Sequence, residues 1–431
     1  MRVLWFVEKP LPAVTRRQGK PPFLHASWLD QLELALRDTP DLTLGIAALT
    51  SRTETPYEPF ESAGAVYYGI GPDEDVNTVR RIAERWRRLL RPQANLAGCR
   101  QIMEKFRPDV VHVHGTENPF GLLADHSPTP VVISIQGILS VYALLEARGM
   151  DKSLLLSLSP SLFLRGTGTV LHGLALKERA ARERRIFGIC RHFIGRTRFD
   201  ADVVRVLNPD ARYYHCDELL RPEFCASVWD RSHSNSHTVY STGGDYARKG
   251  LGTLLRAIAI LGDGRMPEVR LRLAGTSPAD TEDGRAMARE IRRLRLSGCV
   301  TSLGKLDADD LVRELLGAGA FVLPTHADNS PNGLAEAMTV GTPCVASAAG
   351  GIPTLARDGI EALLVQDGDP YALAGAIARL LEDGGLARRL SANARATALR
   401  RHDPQKVRAD LLGIYRAVLD DGQRAAHQEA Q

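Results

Sequence analysis

Short β-branched runs alternate with longer amphipathic runs along almost the whole chain, the pattern of βαβ units winding a parallel sheet. In the first half, runs at 2–7, 42–48, 110–114, 131–135 and 190–195 read as strands, and the periodicity predicts helices over 27–37, 76–90 and 175–187. The alternation restarts in the second half. Strands are predicted at 238–241, 269–274, 300–303, 321–323, 344–347 and 362–365, each followed by a loop and a helical pattern. Between the halves, 208–235 holds two prolines, ends in RSHSNSH and has no clear period, so it reads as a crossover between two doubly wound α/β domains. A last helical pattern, 404–419, follows a break at 402–404, and the polar tail from Asp421 is expected to fray. The expected division is a first domain over 1–215, onto which the helix 402–420 packs back, and a second over 236–401.

Composition narrows this picture. With 431 residues, 44% hydrophobic and 25% charged, the chain has the make-up of a folded protein of two or three domains. The net charge of +4 is small for this length, and aromatics are not interleaved with arginines, so a nucleic-acid partner is not expected. Six scattered cysteines without a C-x-x-C pair read as reduced thiols of a cytoplasmic protein. The opening MRVLWFVEKP reads as a first strand rather than a signal peptide. The longest apolar stretch, 153–164, falls short of a membrane span and is interrupted by Pro160.

Two open α/β sheets direct attention to residues just after strands, because ligands bind outside the carboxyl ends of parallel strands, and two facing sheets make a cleft. The densest such segment is FVLPTHADNSPNGLAEAMTVGTPCVASAAGGIP, 321–353. Its strand is followed by a polar loop carrying Asp328, Asn329, Ser330 and Asn332, and then by a helix beginning near Gly333 and Leu334. A helix start offers free N–H groups and a positive dipole end to a phosphate. A carboxylate such as Glu336 can accept two hydrogen bonds from a ribose diol. The bland alternative is a helix-capping loop with a solvated glutamate. In VYSTGGDYARKGLGTLLRAIAIL, Gly243 and Gly244 permit close backbone approach to a diphosphate, and Lys249, with Arg248 beside it, can neutralise it. The alternative for Lys249 is a surface lysine at a turn. Asp307 is placed to cap the helix that follows it.

In the first half, PDVVHVHGTENPFGLL sets His112 and His114 on one face of a strand, with Glu117 in the loop beyond. An H-x-H pair can bind metal, but no third ligand is evident, and packed or hydrogen-bonded core histidines are the expected reading; no metal site is assigned. Gln136 and Arg196 also follow strands, with an exposed arginine at a helix start as the alternative for the latter.

The 321–353 string resembles the donor-binding motif of glycosyltransferase family 4, retaining enzymes of the GT-B fold, through the run Glu336-Ala337-Met338 to Ala346. The resemblance implies two Rossmann-like domains facing a cleft. It implies that Glu336 holds the nucleotide ribose and that Asp328, where the family usually has glutamate, lies by the transferred sugar. Lys249 falls on the family's diphosphate lysine. Gly244 stands where an arginine is usual, so Arg248 is taken as its substitute. The stretch 299–324 is similar to the base-contacting strand and loop, with Lys305 and Leu306 at its tip. HGTENPFGLL, SIQG, with Gln136 where a histidine is common, and IGRTRFDADVV resemble the branch that builds bacterial surface polysaccharides. They make His114, Glu117, Gln136 and Arg196 candidates on the acceptor or sugar side.

Taken together, these likenesses imply a retaining, metal-independent glycosyltransferase. It would use a UDP- or GDP-sugar as substrate, no cofactor, and a glycan or lipid-linked acceptor. Two other classes stay open: a GT-B sugar-nucleotide 2-epimerase, drawing on His114, Glu117 and His326, and a catalytically silent paralogue that binds a sugar-nucleotide. The basic segment RRIAERWRRLLR, 80–91, leaves a peripheral contact with the inner face of the cell membrane open, against an ordinary domain helix with a solvated basic face.

Overall fold

The computed structural model describes residues 1–19, 27–50, 58–71, 96–125, 127–145, 169–243, 246–276 and 281–429. The basic segment 80–91, the apolar segment 153–164 and Gly244 lie outside these. The chain divides into two compact units, one made of 1–143, 159–219 and 403–431, the other of 144–158 and 220–402.

The described strands of the first unit are β1 (Arg2–Val7), β2 (Thr43–Leu49), β3 (Phe60–Ser62), β4 (Ala65–Ile70), β5 (Val110–His114), β6 (Val131–Ser134), β7 (His192–Gly195) and β8 (Arg212–His215). They form one sheet in the order β3-β4-β2-β1-β5-β6-β7-β8, parallel except for the β3–β4 hairpin. β1 lies in the middle, and its side chains from Val3 to Val7 are fully buried because both faces of a parallel sheet are covered. On one face, the final helix, Pro404–Glu429, inserts Val407, Leu411, Ile414, Tyr415 and Val418, spaced to line one side of a helix. The Tyr415 hydroxyl accepts from Trp5 Nε1 at 2.9 Å and meets His112 Nδ1 at 2.7 Å, while His112 Nε2 lies 2.7 Å from Ser134 Oγ. His112 thus has a hydrogen-bond partner on each ring nitrogen. Burial pushes His112 down to about 3, so it is a neutral core histidine.

The second unit contains β9 (Asn235–Thr242), β10 (Arg270–Ala274), β11 (Val300–Gly304), β12 (Ala318–Leu323), β13 (Cys344–Ser347) and β14 (Leu363–Val365), a parallel sheet in the order β11-β10-β9-β12-β13-β14. Its helices pack on both faces, giving one core around Leu254, Ile258 and Leu273 and another around Phe321, Leu334 and Ile352. Chain order reverses between β9 and β12, so the loops after these two strands are neighbours at the topological switch point.

Four local expectations are corrected. The segment 208–235 is not a bare crossover, because β8 lies within it and closes the first sheet beyond β7, followed by the short helix Pro222–Ala226. The hairpin β3–β4 has no counterpart among the strands expected from the sequence. Its two-residue turn, Ala63 and Gly64, has positive φ at both positions, as a type I′ turn requires. The stretch between β1 and residue 27, for which no element was expected, contains the helix Pro12–Arg17, which buries Ala13 and Val14. The tail does not fray at Asp421: the helix runs to Glu429, and Asp421 meets Arg212 at 2.9 Å. Among the described residues no helix is long and apolar enough to cross a membrane.

Candidate active site

In the second unit the chemistry gathers at the switch point. β9 ends at Thr242 and β12 at Leu323, and the loops beyond them interlock through their backbones. The Arg248 carbonyl accepts from His326 N at 2.8 Å and from Thr325 Oγ1 at 3.0 Å. Gly250 has φ +66°, and a Cβ there would lie 1.9 Å from the Pro324 oxygen, so only glycine permits this approach. Gly350, with φ +55°, packs in the same way on the Asp328 carbonyl, which Gly351 N bonds at 3.0 Å. Gly243 N donates to the Ala274 carbonyl at 3.0 Å, and its Cα faces the Lys249 stem.

These constraints fix a charged constellation. Lys249 Nζ lies 2.5 Å from Asp328 Oδ2, and Arg248 lies 3.8 Å from the same oxygen while bonding the Ala327 carbonyl at 3.2 Å. The helix Asn332–Val340 starts directly after the loop. Its N-cap, Pro331, supplies no capping side chain, and Gly333 packs against Thr242 at the end of β9. The first N–H groups of that helix thus open beside the end of β9, the strand whose following loop carries Lys249, an arrangement suited to an anion. Asn329 is buried, Ser330 and Asn332 are half-buried, and Leu334 is buried in the core. One helical turn after Gly333, Glu336 is partly buried and takes a hydrogen bond from Arg221 at 2.9 Å. Burial pushes the Glu336 carboxyl above its ordinary value, and Arg221 pulls against that rise. Lys305 is exposed and Leu306 half-buried just past β11, two strands away from β9. Asp307 caps the next helix, accepting from Asp310 N at 2.9 Å.

Two residues of this unit escape a reading of the sequence. Arg221 lies in the segment that reads as crossover, and its partner is 115 positions away. Asp367, after β14, meets His326 Nδ1 at 2.5 Å.

The first unit brings its own candidates together after β5, β6 and β7, which are adjacent in the sheet. Glu117 Oε1 accepts from Gly137 N at 3.0 Å. Burial, assisted by the nearby Glu183 charge, pushes the Glu117 carboxyl up to about 7. Arg196 is buried, donates to the Ile135 carbonyl at 3.0 Å and to Gln136 Oε1 at 3.3 Å, and forms an ion pair with Glu218. It is therefore not an exposed helix-start arginine. A small pocket adjoins this group, lined by Trp28, His112, Gln136, Arg196, Asp217 and Glu218 among others. His114 is 6% exposed, packed edge-on to Trp5 at 4.7 Å and beside Trp28, and among the described residues neither of its ring nitrogens has a hydrogen-bond partner. Burial, then the His112 ring, holds it well below the usual histidine range. Among the described residues no group of three His, Cys, Asp or Glu is arranged to hold a metal ion. Glu183, which no motif in the sequence singles out, is fully buried and ties the two loops together. It accepts from Thr116 Oγ1 at 2.6 Å, Leu139 N at 3.0 Å and Ser140 N at 2.7 Å, the last two at the start of the helix Leu139–Leu145.

Comparison with known proteins places this geometry. Residues 236–383 match the family model described as Glycosyl transferases group 1. A D-inositol 3-phosphate glycosyltransferase of Acidothermus cellulolyticus is 36% identical over 155 residues, 36% of this chain and 34% of that one. The namesake from Mycolicibacterium vanbaalenii is 31% identical over 206 residues, 45% and 44% of the two chains. The chain thus spans less than half the length of these curated relatives. Among solved structures, sucrose-phosphate synthase of Thermosynechococcus elongatus superposes with a TM-score of 0.69 at 16% identity, covering 98% of this chain and 100% of that one. Anabaena Alr3699/HepE in complex with UDP and glucose gives 0.65 at 14% identity, over 96% and 98%. These likenesses show the GT-B fold.

Proposed function

We propose that this chain, a member of the glycosyl transferases group 1 family through its residues 236–383, is a retaining glycosyltransferase that moves a sugar from a nucleotide-sugar to a glycan or lipid-linked acceptor. The observation that carries the reading is the meeting of Lys249, Arg248, Asp328 and the start of the helix Asn332–Val340 at the switch point of the second sheet. Structural neighbours support a nucleotide-sugar donor: the Anabaena protein is described with UDP-glucose, and trehalose-6-phosphate synthase with UDP-2-fluoro glucose. In this reading the donor is a UDP- or GDP-sugar, the site needs no metal or cofactor, and the product enters a surface polysaccharide built on the cytoplasmic side of the membrane.

The chemistry follows from the residues. The bond between the sugar's anomeric carbon and the diphosphate breaks, and negative charge grows on the leaving oxygen. Lys249, Arg248 and the helix N–H group at Gly333 stabilise that charge, whereas Leu334 N already donates to the Pro331 carbonyl at 3.1 Å, and Asn329, Ser330 and Asn332 hold the polar edge of the donor. Lys305 and Leu306 face the base, Glu336 grips the ribose, and Asp328 orients the sugar. The acceptor hydroxyl attacks the same face of the anomeric carbon and passes its proton to the departing phosphate oxygen. Configuration is thus retained without a covalent enzyme intermediate. His114, Glu117, Gln136 and Arg196, in the first unit, are the residues read as acceptor-side. Losing one charge-stabilising contact costs about 3 kcal/mol of barrier, on the order of a 100-fold loss in turnover.

The test is thermal stabilisation by a panel of nucleotides and nucleotide-sugars, run on the wild type and on Glu336→Ala, followed by donor turnover in Lys249→Ala. A ligand at about 100 times its dissociation constant adds roughly 2.7 kcal/mol to the wild type, and that gain is lost in the variant. Stabilisation by no member of the panel, or unchanged turnover in Lys249→Ala, sinks the reading.

A further inference from the structure

We propose that Arg221 is a positioning residue for donor recognition, holding the Glu336 carboxylate in the orientation that receives the ribose diol; this rests on the reading of Glu336 as the ribose carboxylate. Glu336 projects from the second turn of the helix Asn332–Val340, whose neighbouring side chains Leu334, Ala335, Ala337 and Met338 are buried and apolar. Among the described residues Arg221 is the one side chain bonded to it, Nη2 to Oε1 at 2.9 Å, with each side chain 14% exposed. A carboxylate has about four lone-pair sites, and this contact takes one of them. Oε2 and the second lone pair of Oε1 stay available to two adjacent hydroxyls.

Arg221 is itself held firmly. Its guanidinium lies over the Phe224 ring, 4.8 Å from the centroid, and Phe224 is fully buried in the second unit's core. Arg221 occupies the extended N-cap position of the helix Pro222–Ala226, with the proline at the first helical position fixing the turn. Among the described residues its buried Nε has no hydrogen-bond partner, and the carboxylate it pairs with is Glu336. Without this cation, a partly buried carboxylate among apolar neighbours turns toward solvent or takes up a proton, and either change removes an acceptor from the diol.

The test compares the affinities of UDP and of its 2′,3′-dideoxy counterpart for wild type, Arg221→Met, Arg221→Lys and Glu336→Gln by calorimetry. The dideoxy ligand lacks the hydroxyls that Glu336 would receive, so its binding reports the integrity of the rest of the site in each variant. The wild type prefers UDP by about 10-fold or more, the worth of a hydrogen bond to a charged group. Arg221→Met abolishes that preference while leaving dideoxy binding within about twofold, and Arg221→Lys keeps part of it. The double variant Arg221→Met, Glu336→Gln loses no more than either single one. If Arg221→Met weakens both ligands equally, or neither, Arg221 serves the fold alone and the proposal is overturned. If Glu336→Gln keeps the full preference, or the wild type shows none, Glu336 is not the ribose carboxylate; the site reading then falls, and this inference with it.

Discussion

Replacing Gly250 by alanine measures how tightly the two switch-point loops are locked. Two costs add at this position. At φ +66° an L-residue with a Cβ pays about 1–2 kcal/mol for the left-handed conformation. The new Cβ also stands 1.9 Å from the Pro324 carbonyl oxygen, so the two backbones must part by about 1 Å. Overpacking of this kind costs about 1–3 kcal/mol, because the obstacle is backbone and not a flexible side chain. The total is about 2–5 kcal/mol. Gly359 supplies the control: its φ is +70°, but no atom lies within 4 Å of a Cβ there, so Gly359→Ala pays the conformational cost alone, about 1 kcal/mol after the gain from a less flexible unfolded chain. Thermal unfolding, followed by the transition of the second unit, reads both. The expected shifts in melting temperature are about 2–4 °C for Gly359→Ala and roughly three times that for Gly250→Ala. Gly250→Ala also pushes away the loop that carries Thr325 and His326, both bonded to the Arg248 carbonyl, so nucleotide binding falls with stability. Equal destabilisation by the two substitutions refutes the interlock.

Three further outcomes are expected. Tyr415→Phe removes the hydroxyl shared by Trp5 and His112 and leaves two buried ring nitrogens unpaired, which costs about 2–4 kcal/mol in denaturant unfolding. Glu183→Leu strips the partner from Thr116, Leu139 and Ser140, lowering stability by about 3 kcal/mol and raising the acceptor's KM more than the donor's. Glu117 titrates at about 7 in the fold and near 4.5 unfolded. Its contribution is therefore complete below pH 4.5 and is lost as pH rises through 7, at most about 3 kcal/mol, and Glu117→Gln flattens that slope in stability measured from pH 5 to 8.

The alternation of strands and helices was legible because most strands here are buried on both faces and read as continuous apolar runs. Val110–His114 and Cys344–Ser347 coincide with the runs that announced them. β8 was not legible for the opposite reason: Tyr213 and Tyr214 sit half-exposed at the sheet's edge between two exposed residues, so no apolar run marks the strand. Around the switch point, the order strand, glycine, lysine and the order strand, polar loop, helix were visible locally. That Lys249 would meet Asp328 required knowing that β9 and β12 are neighbours, which no local pattern carries. Arg221 was hidden for the same reason, since an ion pair across 115 positions leaves no periodic trace. The two histidines of β5 divide differently: H-x-H fixed their shared face, but only the arrival of Tyr415 makes His112 a satisfied core residue, while His114 has no hydrogen-bond partner among the described residues.

The last helix has a consequence for how the chain is made. It supplies five side chains to the core of the first unit, yet it follows the whole of the second in sequence. Synthesis runs from the amino end, so the face of the first sheet bearing Trp5 and His112 emerges long before Leu411 and Tyr415 exist to cover it. The second unit is continuous from 220 to 402 apart from a short earlier segment, and its main body can close while the first is still open on that side. The first unit is thus completed only after the second has been translated, by a segment whose loss in a nonsense or frameshift product would leave the preceding residues intact and an aromatic face bare. Such a truncated product would be handled by chaperones and proteases as an incompletely folded chain, although its entire Lys249–Asp328 loop system had been translated.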